Sequence, residues 1–309
     1  MTIPLLRKRR VLAAKIEAAV GTAETLSASD AVFNVYTADV QANIDMTQRM
    51  GQGVFGPLPS VAGARGGTAT FSLDLIGGET TPAWASTFLP ACGFVLNTGV
   101  YLPVTRPPGS GGVKTITIGS YQDGLYKVLR GCMGTAVFTF KAGVPVSVLF
   151  TFTGIWNPPT DVTIIAPDYP NVLPPRFADS GLLIGASWNP KIEQLTIDLG
   201  NTVVLREDPG DISGYFSAVV TDRMIVGQLN PESALVAGRD DFGDWLSSEE
   251  QAIELSVGEE DNRVAFAAPA LQFQNVQDAD RNSVQINDIN FQLNRGTDGG
   301  DDELAITID

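Results

Sequence analysis

Apolar and polar residues alternate over most of this chain, the period of a strand with one buried face. The alternation runs through Val32–Tyr36 and through "TATFSLDLIGG" (68–78). It returns in a long block over residues 114–156, where Asp123-Gly124 and Ala142-Gly143 punctuate it as hairpin turns. Other stretches break the period. "TPAWASTFLPACGF" (81–94) spaces Trp84, Phe88 and Leu89 close to one helix face, with Pro82 near the start, where a helix tolerates it. "DDFGDWLSSEE" (240–250) predicts a second short helix, with Asp240, Asp241 and Asp244 capping or flanking its N-terminus. Val11–Val20 reads as one or two helical turns ending at Gly21.

The plan runs twice. Residues 191–207 read as a strand pair, 219–229 take the place of 68–78, and 240–250 match the first helix. "RGCMGTAVFTFKAGVPVSVLFTFTG" and "APALQFQNVQDADRNSVQINDINFQLN" then share a layout of strand, turn and strand. Between the halves, Pro158, Pro159, Pro167, Pro170, Pro174 and Pro175 make a stiff extended connection. The reading is a tandem duplication: an N-terminal arm over 1–30, a first domain over 31–156, a Pro-rich linker over 157–177 and a second domain over 178–309. Many short strands with one helix per half indicate a mainly β protein of the sandwich or barrel-like class.

One span fits neither period. Met46–Gly67 holds six glycines and includes "GQGVFG" (51–56), which has the glycine spacing of a dinucleotide-binding turn. That turn needs a helix opening at it and an acid about 20 residues on. Here Pro57 and Pro59 follow directly, and Asp74, the first acid downstream, falls inside a strand pattern. The span is expected to be a long inter-strand loop that uses glycine conformations, and loops of that length are usually functional or disordered.

Charge and composition narrow the chemistry. The 309 residues are 44% hydrophobic and 18% charged, enough to bury a real core. Residues 1–160 carry 12 Lys/Arg against 8 Asp/Glu, whereas residues 161–309 carry 8 against 27. So acidic a half repels nucleic acid from its exposed faces. There is no histidine, which removes Ser-His-Asp and Cys-His catalysis and His-ligated zinc. Cys92 and Cys132 lack metal-site spacing and read as two core thiols, with a disulfide as the alternative. "DADRN" (278–282) opens like a calcium loop, but Ser283 and Ile289 stand where that loop needs glycine and glutamate, so it reads as an acidic hairpin turn. "DGGDDE" (298–303) reads as an exposed loop. The apolar run after Arg7–Arg10 is too short for a signal peptide, and the uncharged stretch Thr80–Thr105 is broken by Pro82, Pro90, Gly93, Gly99 and Pro103. A soluble protein without cofactor, and not an enzyme, is expected.

Taken in order, several stretches resemble the two-domain tail tube proteins (major tail proteins) of long-tailed bacteriophages. They are "LLRKRRVLAAKIEAAVGTAETLSASDAVFNV" (5–35), "PAWASTFLPACGF" (82–94), "GCMGTAVFTF" (131–140), "VLFTFTGIWNPPTD" (148–161), "QLTIDLGNTVVLRE" (194–207), "VVTDRMIVG" (219–227) and "DDELAIT" (301–307). The resemblance implies two tandem β-sandwich tail-tube domains, each with a flanking short helix, plus an extended N-terminal arm. It implies a structural subunit of the virion tail, assembled in the host cytoplasm as homotrimeric rings of pseudo-sixfold symmetry. Stacked rings enclose the tape-measure protein, meet tail terminator and distal tail or baseplate proteins, and pass double-stranded DNA without specific binding or a membrane partner. On this reading Arg49, Met50, Phe55 and Leu58 form an inter-ring loop, and Leu5, Leu6, Arg7, Arg9 and Arg10 make contacts from the arm. The acid excess is expected to enrich the bore in carboxylates. Another virion component, such as a sheath, spike or fibre domain, is the alternative.

Overall fold

The computed structural model describes residues 4–78, 81–105 and 114–309. The first half of the chain forms β1 (Arg10–Ile16), a 3-10 turn (Ala28–Asp30), β2 (Val35–Met50), β3 (Pro57–Asp74), α1 (Ala83–Ala91), β4 (Phe94–Asn97), β5 (Val100–Pro103), β6 (Ile116–Gln122), β7 (Leu125–Lys141) and β8 (Ser147–Asp161). The second half forms β9 (Leu183–Ile184), β10 (Ile192–Asp198), β11 (Asn201–Glu207), β12 (Tyr215–Arg223), β13 (Val226–Pro231), α2 (Asp241–Ser247), β14 (Glu250–Val257), β15 (Val264–Arg281), β16 (Val284–Asn294) and β17 (Ala305–Ile308). The protein is mainly β, and its strands pair antiparallel in one large sheet, with β11 and β12 as a separate two-stranded ribbon. Among the described residues no helix is long and apolar enough to cross a membrane.

The pairing order repeats. In the first half the neighbours run β2, β3, β8, β7, β6, β1. In the second they run β10, β13, β16, β15, β14, β9. In each half the helix follows the hairpin that opens the series, α1 after β2–β3 and α2 after β10–β13. The two series are joined edge to edge: Gln194–Asp198 of β10 lie antiparallel to Val137–Lys141 of β7. The C-terminal β17 adds a second tie, pairing with β15 on one side and with β5 on the other.

One core runs under both halves. In α1, Phe88 meets Phe33, Phe71, Phe150 and Phe152 at ring-centroid distances of 4.6, 5.0, 5.0 and 5.6 Å. Phe266 of the second half lies 5.0 Å from Phe138 and 5.2 Å from Phe140 of the first. Such pairs add about 1 kcal/mol each beyond their burial, so the joint is held by side chains as well as backbone. Both cysteines are buried and free, as core thiols.

Four sequence expectations need correction. Val11–Val20 is not helical: β1 occupies most of it and pairs with β6 from Arg10↔Gln122 to Ile16↔Ile116. Leu12 and Ala14 enter the main core, while Val11 and Ala13 enter a second cluster with Leu26, Ala31 and Tyr121. A strand buried on both faces shows no alternation. The expected arm therefore holds one strand of the sheet, Arg10–Ile16. Glu17, itself buried, anchors the chain just beyond β1 by accepting from Gly21 N–H, Thr115 Oγ1, Thr117 Oγ1 and Gly131 N–H at 2.6–2.9 Å.

The long inter-strand loop is a β-hairpin. Apart from its turn, residues 51–56, Met46–Gly67 pairs within β2 and β3, out to Met50↔Pro57. Pro57 and Pro59 are tolerated because this end of β3 has no second strand neighbour among the described residues. Gly67 serves close packing rather than a turn, since a Cβ there would sit 2.7 Å from both Gln41 O and the Leu129 side chain. Residues 191–207 are not a pair of mutually bonded strands. β10 stays in the main sheet while β11 leaves it and pairs with β12. Val32–Asn34 precede β2 rather than joining it, and Phe33 turns into the core.

The ribbon β11–β12 lies against the first half. Arg130 of β7 binds Asp211 at 2.7 Å, Arg65 binds Ile212 O at 2.8 Å, and Gly21 lies against the Phe216 carbonyl, with no room for a side chain. Hydrogen bonds from the Ser213 side chain and backbone, then the Arg130 guanidinium, lower the Asp211 pKa to about 2. A carboxylate with a depressed folded pKa contributes stability above its ordinary value of 3.8, lost as pH falls towards about 2. Because Asp211 is partly solvated, that contribution is about 1 kcal/mol. Asp211→Asn is expected to be less stable than the parent at pH 6 and equal to it near pH 2, measured by urea denaturation across that range.

Candidate assembly surfaces

Sheet edges are the first feature that the pairing leaves open. β2 pairs with β3 on one side, and among the described residues no strand pairs on its other side. β15 carries β14 alongside Val264–Gln272, but Phe273–Arg281 has a strand only on the β16 side. These two edges are related by the repeat. Across the first half, Thr37, Ser72, Leu149 and Val137 lie opposite one another in turn. Across the second, the row is Asp198, Val226, Gln292 and Gln272. Thr37 therefore corresponds to Asp198, and Val137 to Gln272. Inside the chain Asp198 lies opposite Val137. The corresponding pair, Thr37 with Gln272, marks the two open edges, where Gln272 still has Glu250 of β14 beside it. Gln274 is the extra residue of a β-bulge between Phe273 and Asn275, outside the β16 ladder.

The sheet face turned away from the core is the second feature. Its rows are Thr37–Ser72–Leu149–Val137–Asp198–Val226–Gln292–Gln272, then Asp74–Ser147–Thr139–Thr196–Gln228–Asn290–Asn275, and, in the first half, Asp39–Thr70–Thr151–Thr135. Hydroxyls and amides dominate, and these rows contain Asp39, Asp74 and Asp198 but no Lys or Arg. The face is continuous from one half to the other because β10 continues the ladder of β7. The Tyr36 hydroxyl donates to the Asp74 carboxylate at its margin, which pushes the phenol pKa up to about 12.

The third feature is the distal part of the β2–β3 hairpin. Met50 and Phe55 are 74% and 106% exposed, and Leu58, Met46 and Val61 are exposed beside them. Arg49 lies opposite Leu58 in the register and is exposed as well. The sequence-predicted set of Arg49, Met50, Phe55 and Leu58 is thus gathered at the end of one hairpin.

The N-terminal set is divided. Leu5, Leu6 and Arg7 are exposed. Arg9 binds Asp123 at 2.6 Å, and the Leu6 N–H donates to the same carboxylate at 2.8 Å. The Arg10 guanidinium donates to Ala38 O, so β1 is tied to β2 within the chain. Arg9 and Arg10 already have partners.

Sequence patterning missed the β15 edge and the β7–β10 joint. Their only trace is the alternating Thr135, Val137 and Thr139 against Gln194, Thr196 and Asp198, which marks two strands without saying that they pair. No protein-family model and no curated protein matches the chain. In the isolated chain, β2 amides over Val35–Ile44 are expected to exchange at least about tenfold faster on average than β3 amides over Thr68–Asp74, which have strands on both sides. Hydrogen–deuterium exchange read by mass spectrometry decides it, and equal protection would mean that the β2 edge is covered.

Proposed function

We propose that this protein is a structural subunit of a bacteriophage tail tube, as its sequence resemblance implies. One observation carries the reading: the joint between the halves has a counterpart in two open edges, β2 at one end of the sheet and the Phe273–Arg281 part of β15. A β2 edge that meets the Phe273–Arg281 edge of another copy repeats the internal β10–β7 joint between chains. This is a head-to-tail contact, which closes into a ring or continues as a helix. Three chains supply six halves, three internal joints and three joints between copies, hence a homotrimeric ring of pseudo-sixfold symmetry.

The polar face supports the same reading. Carried round such a ring, it lines the bore with hydroxyls, amides and a few carboxylates. Apart from Lys141, which follows Thr139 on this face and binds Glu193 at 3.4 Å, a phosphate backbone finds no cation in these rows to hold it, so DNA slides. Stacked rings make a hollow tube that encloses the tape-measure protein before DNA passes, with terminator and distal tail or baseplate proteins at its ends. The virion tail is its place, and the host cytoplasm its site of assembly.

Electron microscopy of the purified protein at rising concentration tests this. End-on views are expected to show hollow rings of three chains. Gln274→Pro, which removes an edge amide at the bulge and spares the β16 ladder, is expected to raise the assembly concentration at least about tenfold with little change in monomer melting. Compact monomers at every concentration, also beside tail partners, or rings whose halves do not number six, would overturn the proposal.

A further inference from the structure

The ribbon β11–β12 belongs by sequence to the second half but rests on the first. Asn201 donates from its side chain to Cys92 O at 2.8 Å and to Gly134 O at 2.9 Å, and its N–H reaches Thr135 Oγ1 at 3.3 Å. Leu205 fills the space over Gly66, and the Arg65 N–H donates to Ser213 O at 2.9 Å. The surface so covered surrounds Thr135 and Thr151, which lie opposite each other. Their counterparts in the second half are Ala270 and Asn294. There the sheet carries an open groove lined by Arg223, Met224, Glu250, Asn294, Arg295 and Glu303.

The repeat also names the missing occupant. β11–β12 extends the β10–β13 hairpin, whose counterpart is β2–β3. The distal part of β2–β3, Met46–Val61, stands clear of its own half and exposes Met46, Met50, Leu58 and Val61. Glu303 in the groove is bound to Arg223, so Glu250 is the groove carboxylate left to meet Arg49, the hairpin's cation. We propose that this groove takes the Met46–Val61 hairpin of a second copy of the chain. The inference rests on the assembly reading and gives the hairpin a direction. It works sideways, between neighbours in one ring, as β11–β12 works between the halves of one chain, and not between rings as the sequence alone led us to expect.

Photo-crosslinking of isolated rings tests the contact. With p-benzoylphenylalanine replacing Met50 or Leu58, irradiation is expected to join the hairpin to residues 223–225, 250, 292–295 or 303 of another copy. Asn294→Trp, which fills the groove, is expected to cut that adduct at least fivefold while leaving the melting temperature of the monomer unchanged. Rings whose adducts fall on other surfaces would overturn the groove assignment and leave the ring reading intact. A chain that stays monomeric at every concentration would overturn both.

Discussion

Edge pairing between β7 and β10 is the constraint on which the architecture depends. Five residues of each strand make the ladder, with Leu195 opposite Phe140 and Ile197 opposite Phe138. Phe266 then closes on both phenylalanines from beneath. Without this joint the polar face would be two separate patches and the ribbon β11–β12 would lose its seat. With it, β7 and β10 are joined, while their counterparts, the Phe273–Arg281 part of β15 and β2, stay open. An open sheet edge is normally a hazard, blunted by charge, proline or a covering element. Here β2 begins its open edge with Val35, Tyr36 and Thr37, and β15 offers Phe273 to Val276, so at their starts the edges carry little that would repel a partner strand.

The halves have diverged where the repeat would predict identity. α1 buries Trp84, Phe88 and Leu89 in the aromatic core, whereas α2 buries only Asp241. That carboxylate is satisfied by Arg239 at 2.7 Å and Asn287 at 2.8 Å, and Arg239 stacks 3.9 Å from the Trp188 ring. The hairpins diverge as well. β3 stays bonded to β8 out to Gly66, so β2–β3 continues in the plane of its sheet. β13 leaves β16 after a few residues, and β12 turns away. A hairpin that leaves its sheet early can fold onto the other half of its own chain, and one that stays in plane projects beyond its own half, where another copy can meet it.

Much of the fold was legible in the sequence where one face of an element is buried. Thr68–Asp74, the strands between Ile116 and Asp161, the α1 helix, the Asp123-Gly124 turn and the Asp240 cap onto Gly243 N–H all follow from local pattern. Legibility failed for two physical reasons. Val11–Ala14 is buried on both faces, so the period that marks a strand is erased. Met46–Gly67 is rich in glycine and proline, usually breakers, yet an edge position tolerates proline and close packing selects Gly67. The hairpin residues Arg49, Met50, Phe55 and Leu58 could be picked out because apolar side chains in such a segment lack a local core. The β15 edge could not, because an edge is defined by the absence of a neighbour, and neighbours are decided by long-range pairing.

The distribution of charge completes the ring reading in an unexpected way. The second half carries most of the acids, yet few of them lie in the rows of the polar face. Asp301 and Glu303 hold Arg223, Asp309 holds Arg263, Glu232 holds Arg281, and Asp241 and Asp244 hold Arg239. The second half thus keeps much of its basic complement inside ion pairs, while the sheet face keeps hydroxyls and amides. Free passage of a polyanion needs the absence of fixed cations more than an abundance of anions, since each Lys or Arg contact to phosphate adds counterion-release affinity. A neutral polar face already meets that condition, and the carboxylates of Asp39, Asp74 and Asp198 add modest repulsion. In the proposed tube, low adhesion would follow from where the arginines are held rather than from a carboxylate-lined wall.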